Sequence, residues 1–448
     1  MAVLATSTIF LDFTLPNATS WFYFSWLLAM ALFFKFSRLL SVRNWDVISL
    51  FLLVPGLLLL QEGHQLLRQH SGLATQRIWF GYLWLLGGSL YFLVRCFLDL
   101  GLVRRPALSP NLNLAGLGWL SAALLVCLIS VAFRPEAGTS KTVGREASSV
   151  NAVREFISQQ TPAQEVAGQD RQFWAGRILA ISCHLLIVTG LIVVGARHFQ
   201  DVYAGVAAAT FYLLLPYTAL QVGQAHLLWL AALLVWAVAT YRQPLLAGLL
   251  LGLGAGTVYF PALLAPVWFS FYWRRGAGRF AAGFFLAAAA SLACTALFLW
   301  FQGDLTAKVH EALSQSDWQA WKFPRTESFW SGMDGTGFHW AYRLPVFIAY
   351  VALVLVTAVW PTPKNLAHVI ALSAAVLIGV QFWYADQGGA FVLWYLPLLL
   401  LLVFRPNLSD RRPQPIPPET DWLKRMARTL ARVPAALLQA PQQPVRVR

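Results

Sequence analysis

Between Ser20 and Phe404 the chain is a succession of apolar stretches separated by short polar joints, at 20–36, 45–60, 78–98, 114–133, 174–194, 202–216, 222–241, 245–258, 259–272, 280–301, 344–360, 366–383 and 391–404. This feature constrains the fold more than any other. A bilayer offers no partner for an open backbone N–H or C=O, so a chain of this kind must cross it as α-helices, each needing about 20 mainly apolar residues. The reading is an all-α, polytopic transmembrane helical bundle of about thirteen spans. Hydrophobic residues make up 58% of the chain and charged ones 12%, which excludes both a soluble globular chain and a disordered one. Several stretches are short, and Pro261 divides 245–272 into two half-spans or one bent pair.

Lys and Arg total 33 against 19 Asp and Glu, a formal net charge of +14. In a soluble protein that excess would raise nucleic acid as a partner. Here the cations sit in the joints, and no nucleic-acid partner is expected. Lys35, Arg38 and Arg43 end or follow the first stretch, Arg95, Arg104 and Arg105 end or follow the third, and Arg197, Arg242, Arg274, Arg275, Arg279, Lys364 and Arg405 mark every second boundary after that. The positive-inside rule makes these boundaries cytoplasmic, with the N-terminus outside and the C-terminal tail inside a cell inner (plasma) membrane. Met1 to Ser20 carry no Lys or Arg and lack the charged start of a secretory signal, so this segment is expected to be retained. Cys96, Cys127, Cys183 and Cys294 all lie in apolar stretches and read as small hydrophobes.

Two of the outer joints, 134–173 and 302–343, are about 40 residues long, far beyond a bundle's usual connections, and point to work at the outer interface. Glu136 lies just past a span, at headgroup depth, beside Arg134, where it can be a solvated loop carboxylate. In the second loop Lys322 and Arg325 are interleaved with aromatics from Trp318 to Trp330, which suits a phosphate beside a sugar or isoprenoid and equally suits an interfacial anchor. Gly332, Gly335 and Gly337 surround Asp334 ahead of His339. Arg177, Gln224 and His226 fall at outer span ends, where Gln224 can donate to a phosphate or sugar oxygen or satisfy a neighbouring backbone carbonyl, and Arg177 can face a phosphate or simply snorkel at the interface. No cofactor is implied, and a divalent metal is left open because one Asp and one His do not make a site. Asp46, Asp99, Asp201, Asp304 and Asp386 lie at span edges rather than at mid-membrane, His184 reads as a packing histidine, and no inverted pair of broken helices is visible. All three observations weigh against a transporter.

Within 177–268, Pro216 is followed by Gly223-Gln224, Arg242 and Pro244 lead into Ala247-Gly248 and Leu251-Gly252, and Pro261 and Pro266 come next. By these residues the stretch resembles the central part of GT-C class integral-membrane glycosyltransferases, and most closely the polyprenol-phosphate-mannose-dependent mannosyltransferases. Trp394-Tyr395 and Pro397 give a weaker echo. The resemblance implies an inverting hexosyltransferase. It would move a sugar, mannose in those relatives, from a polyprenyl-phosphate-sugar lipid to a glycan, lipid or protein acceptor. Glu136 would then be catalytic, and Arg177, Gln224, His226, Lys322, Arg325 and His339 would bind substrate. The GT-C-like module spans 114–404, preceded by additional helices over 1–113. A tail, 405–448, reads as a Pro-rich linker and an amphipathic helix on the inner leaflet. Two positions depart from the family: Val258 stands where a Lys is usual, and Glu136 stands in for an Asp. A catalytically degenerate GT-C-fold protein that binds lipid or scaffolds a partner, and a transporter or flippase, remain as alternatives.

Overall fold

A computed structural model describes residues 18–69, 72–101, 108–133, 165–301, 328–332, 337–384 and 388–414. Its helices are α1 Ala18–Phe33, α2 Val42–Ser49, α3 Val54–Arg68, α4 Ala74–Gly101, α5 Leu114–Ala132, α6 Glu165–Val194, α7 Val202–Leu214, α8 Pro216–Leu220, α9 Ala225–Ala239, α10 Pro244–Val258, α11 Ala265–Phe271, α12 Ala277–Phe301, α13 Arg343–Val359, α14 Leu366–Trp383 and α15 Val392–Phe404. No strand occurs among the described residues. Seven helical segments are long and apolar enough to cross a membrane, and six more are apolar but shorter. The protein is a multi-pass, all-α membrane bundle.

Local chemistry sets the helix starts. Ser41, Asn113, Asp201 and Asn365 each accept a backbone N–H from the first turn they precede, at 3.2, 2.8, 3.1 and 2.9 Å. Pro55, Pro216, Pro244 and Pro266 occupy first-turn positions where a missing N–H does no harm. Two helices end up at the centre of the bundle: all of α15 and nearly all of α14 are buried. This accounts for their being apolar on every face. Around them α3 packs on α4, α6 on α9, and α10 on α12.

The α10–α12 contact is made by glycine. A Cβ on Gly248 or Gly252 would collide with the backbone carbonyl of Phe280 or Phe284, so the two helix backbones approach more closely than any larger residue allows. The run AGLLLGLGAG, part of the family resemblance, thus acts here in helix packing.

Two spans are broken. Residues 50–53 separate α2 from α3, where the sequence pattern reads one uninterrupted stretch ending near residue 60, and α3 continues to Arg68, into the joint expected at 61–77. The backbone opened at this break is bonded by other helices: the Tyr217 hydroxyl donates to Leu50 O at 2.7 Å and accepts from Leu53 N at 3.1 Å, and Trp84 Nε1 donates to Leu52 O at 2.7 Å. The second break, at Tyr259, is the one expected beside Pro261; Tyr259 sits at φ 33°, and a 3-10 turn, Phe260–Leu264, leads into α11. α6 begins at Glu165, so the end of the first long loop is helical.

Side chains with opposite charges gather at one end of the bundle. Arg95 clasps Asp46 with Nε–Oδ1 at 2.7 Å and Nη2–Oδ2 at 2.9 Å, and reaches Asp99 at 3.2 Å. Arg405 holds the other Asp99 oxygen at 2.6 and 2.9 Å, and Arg43 donates to the Val403 carbonyl. All five residues are buried. The cluster ties α2 and α4 to the end of the central helix α15.

Candidate functional site

The opposite end of the bundle collects most of the described candidates. Arg177 lies on the first part of α6, and its guanidinium rests directly on Gly223, in the turn before α9. A methyl at Gly223 would overlap Nη1. Only glycine leaves room for the cation there. Arg177 is 9% exposed, so a fixed positive charge is held against the backbone at the end of two helices. Gln224 follows as the residue before α9, and His226 occupies that helix's first turn, 5% exposed. One helical face further down α6, His184 Nδ1 and the Tyr212 hydroxyl are 2.8 Å apart, both fully buried. This is the packing role expected for His184.

A short buried loop, 388–391, closes over this turn. Gln221 Nε2 donates to Ala390 O at 2.9 Å, while Gln381 Oε1 accepts from Gly389 N at 2.8 Å and Phe391 N at 3.2 Å. Two amides, Gln221 in the turn after α8 and Gln381 of α14, therefore fix three consecutive residues. Phe391 stacks on Trp394, centroids 4.4 Å apart and planes 9° apart, and Phe260, just after the Tyr259 break, contacts both Trp394 and Tyr384 at 4.9 and 5.1 Å. Gln221 Oε1, His226 Nδ1, Gln381 Nε2 and Trp394 Nε1 are buried without a hydrogen-bond partner among the described residues. Such atoms are costly when dry, and their presence at one end of the bundle suits a polar ligand or water.

The aromatic edge extends through Arg343, which donates Nε to Trp383 O at 3.3 Å and lies 5.9 Å from the Trp330 ring centroid. Trp330 in turn donates to Phe382 O at 3.2 Å, and Phe329 stacks on Trp79 of α4 at 5.8 Å. His339 acts locally, its Nδ1 accepting from Ala341 N at 3.3 Å and its ring lying beside Trp340. No described contact joins it to Arg177 or Gly223. Glu136, Lys322 and Arg325 lie outside the described residues, as does the tail from 415 onward. Among the described residues no group of three His, Cys, Asp or Glu could hold a metal.

Sequence reading missed Gln221, Gln381 and Arg343. Gln381 carried a usable signal, since an amide inside the otherwise apolar stretch 366–383 is expensive unless it bonds to something. Comparison with protein-family models, curated proteins and solved structures finds no match to this chain.

Proposed function

We infer that the protein is a membrane glycosyltransferase that takes a sugar from a polyprenyl-phosphate donor and passes it to an acceptor at the outer face of the plasma membrane, in the manner of GT-C enzymes. The observation that carries this reading is the meeting of Arg177 with the Gly223 backbone beside Gln224, within one end of the bundle that also holds the Gln221–Ala390 clasp and the Phe391–Trp394 stack. Resemblance residues distant in sequence, Gly223-Gln224, Pro261 and Trp394, come from the elements that form this end. A fixed cation next to backbone amides stabilises a departing phosphate, and an aromatic wall suits a sugar face. Glu136 is assigned as the base that takes the acceptor proton.

The reading is tested by transfer from a radiolabelled polyprenyl-phosphate hexose in membranes containing the protein. Wild type should move label into an acceptor fraction, and Glu136→Gln should lower turnover by about 10²-fold or more while donor binding persists. Absence of transfer with every hexosyl donor would sink the enzymatic reading. A second reading has one specific support: Val258, where the family usually has Lys, is a buried apolar side chain at the end of α10. Donor binding without transfer would favour that non-catalytic, lipid-binding protein.

A further inference from the structure

A groove of about 770 Å³ runs along α3 and α4, with its polar mouth at the same end of the bundle as Arg177. These helices belong to the segment preceding the GT-C-like module. The walls are apolar, formed by Leu52, Leu59, Phe80, Leu83 and Trp84, and they face outward, Trp84 being 47% exposed. Glycines of α4 shape the groove. At Gly81 a Cβ would come within 3.0 Å of the Gly56 carbonyl of α3, so glycine sets the approach of the two helices, and at Gly88 a Cβ would meet the side chain of Leu53, in the break before α3. At Gly87 a Cβ would meet nothing within 4 Å, so the missing side chain is open groove. One end is polar: Gln76 and Arg77 line it from the first turn of α4. Arg77 faces Glu62 of α3 at 3.9 Å, with both side chains about half exposed (48% and 50%).

In a bilayer a groove with these walls fills with hydrocarbon, and its rim decides which lipid fills it. A lone cation would favour any anionic headgroup. Arg77 on this rim and Glu62 beside it present a cation and a carboxylate, loosely paired and solvent-accessible, at the depth where a span begins. That arrangement complements a headgroup that also carries both signs. The first-turn N–H groups of the 28-residue α4 add positive potential on the Arg77 side. We propose that the α3–α4 groove is a binding site for a zwitterionic aminophospholipid, with one acyl chain along Gly87 and Trp84, its phosphate on Arg77 and its ammonium on Glu62. The site is separate from the proposed donor site and stands whether or not the protein transfers sugars.

The experiment uses the full chain in nanodiscs containing phosphatidylethanolamine with a photoreactive group in the acyl chain. Crosslinks are mapped by mass spectrometry. Labelling of the segment 76–88 should exceed that of the lipid-facing surface of α12, at Phe285, Leu286 and Leu292, by about fivefold, and unlabelled phosphatidylethanolamine should compete about fivefold better than phosphatidylglycerol or polyprenyl phosphate. Gly87→Phe fills the groove from a position with no neighbours, so labelling should fall about tenfold with the melting temperature unchanged. Gly87→Leu provides the same test with a smaller side chain should the phenyl variant fail to fold. Glu62→Gln should keep tail labelling but lose the preference between headgroups. Equal labelling of the groove and the α12 surface, or undiminished labelling in a folded Gly87 variant, would reduce the groove to ordinary annular contact. Better competition by phosphatidylglycerol or polyprenyl phosphate, or a preference surviving Glu62→Gln, would overturn the headgroup assignment.

Discussion

At the scale of single residues, two charges on the same chain behave oppositely because of what surrounds them. Arg177 is pressed onto Gly223, so the glycine is a condition for the cation's position. Gly223→Ala should therefore displace the guanidinium and reproduce the effect of removing it. A charge-assisted hydrogen bond to phosphate contributes about 1.5–3 kcal/mol, so Gly223→Ala and Arg177→Gln should each weaken polyprenyl-phosphate binding by roughly 10- to 100-fold. The double variant should lose little more than either alone, since both act on one contact. Binding titrations check this, and full affinity in Gly223→Ala would remove Arg177 from the site. The Asp99 carboxylate is instead structural. Asn in its place leaves Arg405 and Arg95 buried with a partner's charge gone, a loss of about 3–5 kcal/mol where a buried pair is broken. Glu62→Gln, breaking the half-exposed pair with Arg77, should change stability by less than about 1 kcal/mol. Denaturation in detergent compares the two, and similar effects would contradict the burial argument.

At the scale of elements, the bundle was legible wherever a stretch was uniformly apolar, and illegible where an interruption is satisfied from elsewhere. The break beside Pro261 announces itself, because proline frees a carbonyl. The break at 50–53 does not. Pro55 falls in the first turn of α3, where it is compatible with helix, and the groups that bond the open backbone, Tyr217 and Trp84, come from α8 and α4. Nothing near residue 50 in the sequence reveals them. The glycines of AGLLLGLGAG fit two explanations equally well until α12 is seen against them. In the site, Arg177 and Gln224 could be picked out as polar residues at span ends. The Gln221 half of the clasp on 389–391 depends on a contact across about 170 residues of chain, whereas Gln381 reaches Gly389 and Phe391 only 8 and 10 residues on. These observations give a prediction at this scale. Tyr217→Phe removes a hydroxyl that serves two backbone groups of a buried break, and each unsatisfied group costs about 1–3 kcal/mol, so the variant should lose roughly 2–6 kcal/mol. A near-neutral result on denaturation in detergent would mean that water enters the break.

At the scale of the whole molecule, the alternation of basic joints becomes a geometric statement. Lys35 donates its backbone N–H to Asn44 and its ammonium to Asn111, Tyr203 bonds the carbonyls of Pro110 and Leu112, and His198 bonds Ala239 O. Arg275 reaches Pro413 O, Leu366 N donates to Arg411 O, and Arg405 closes on Asp99. These contacts link the joints assigned to the cytoplasm into a single end of the bundle. The other end holds Arg77, Arg177 and Arg343 with the Trp330 and Phe391 clusters. A bundle with most of its described cations gathered at one end should insert with that end in the cytoplasm. Labelling requires exposed positions, and Ser328, 1% exposed, is unsuitable despite lying in a long loop. Gln76 is exposed at the Arg177 end, and Ser37 and Asn407 are exposed at the Asp99 end. In a background with Cys127 and Cys294 replaced by Ser, Gln76→Cys should react with a membrane-impermeant thiol reagent in intact cells. Ser37→Cys and Asn407→Cys should react only after permeabilisation. The reverse pattern would invert the protein in the membrane and put the Arg177 end, with the proposed donor site, on the cytoplasmic face.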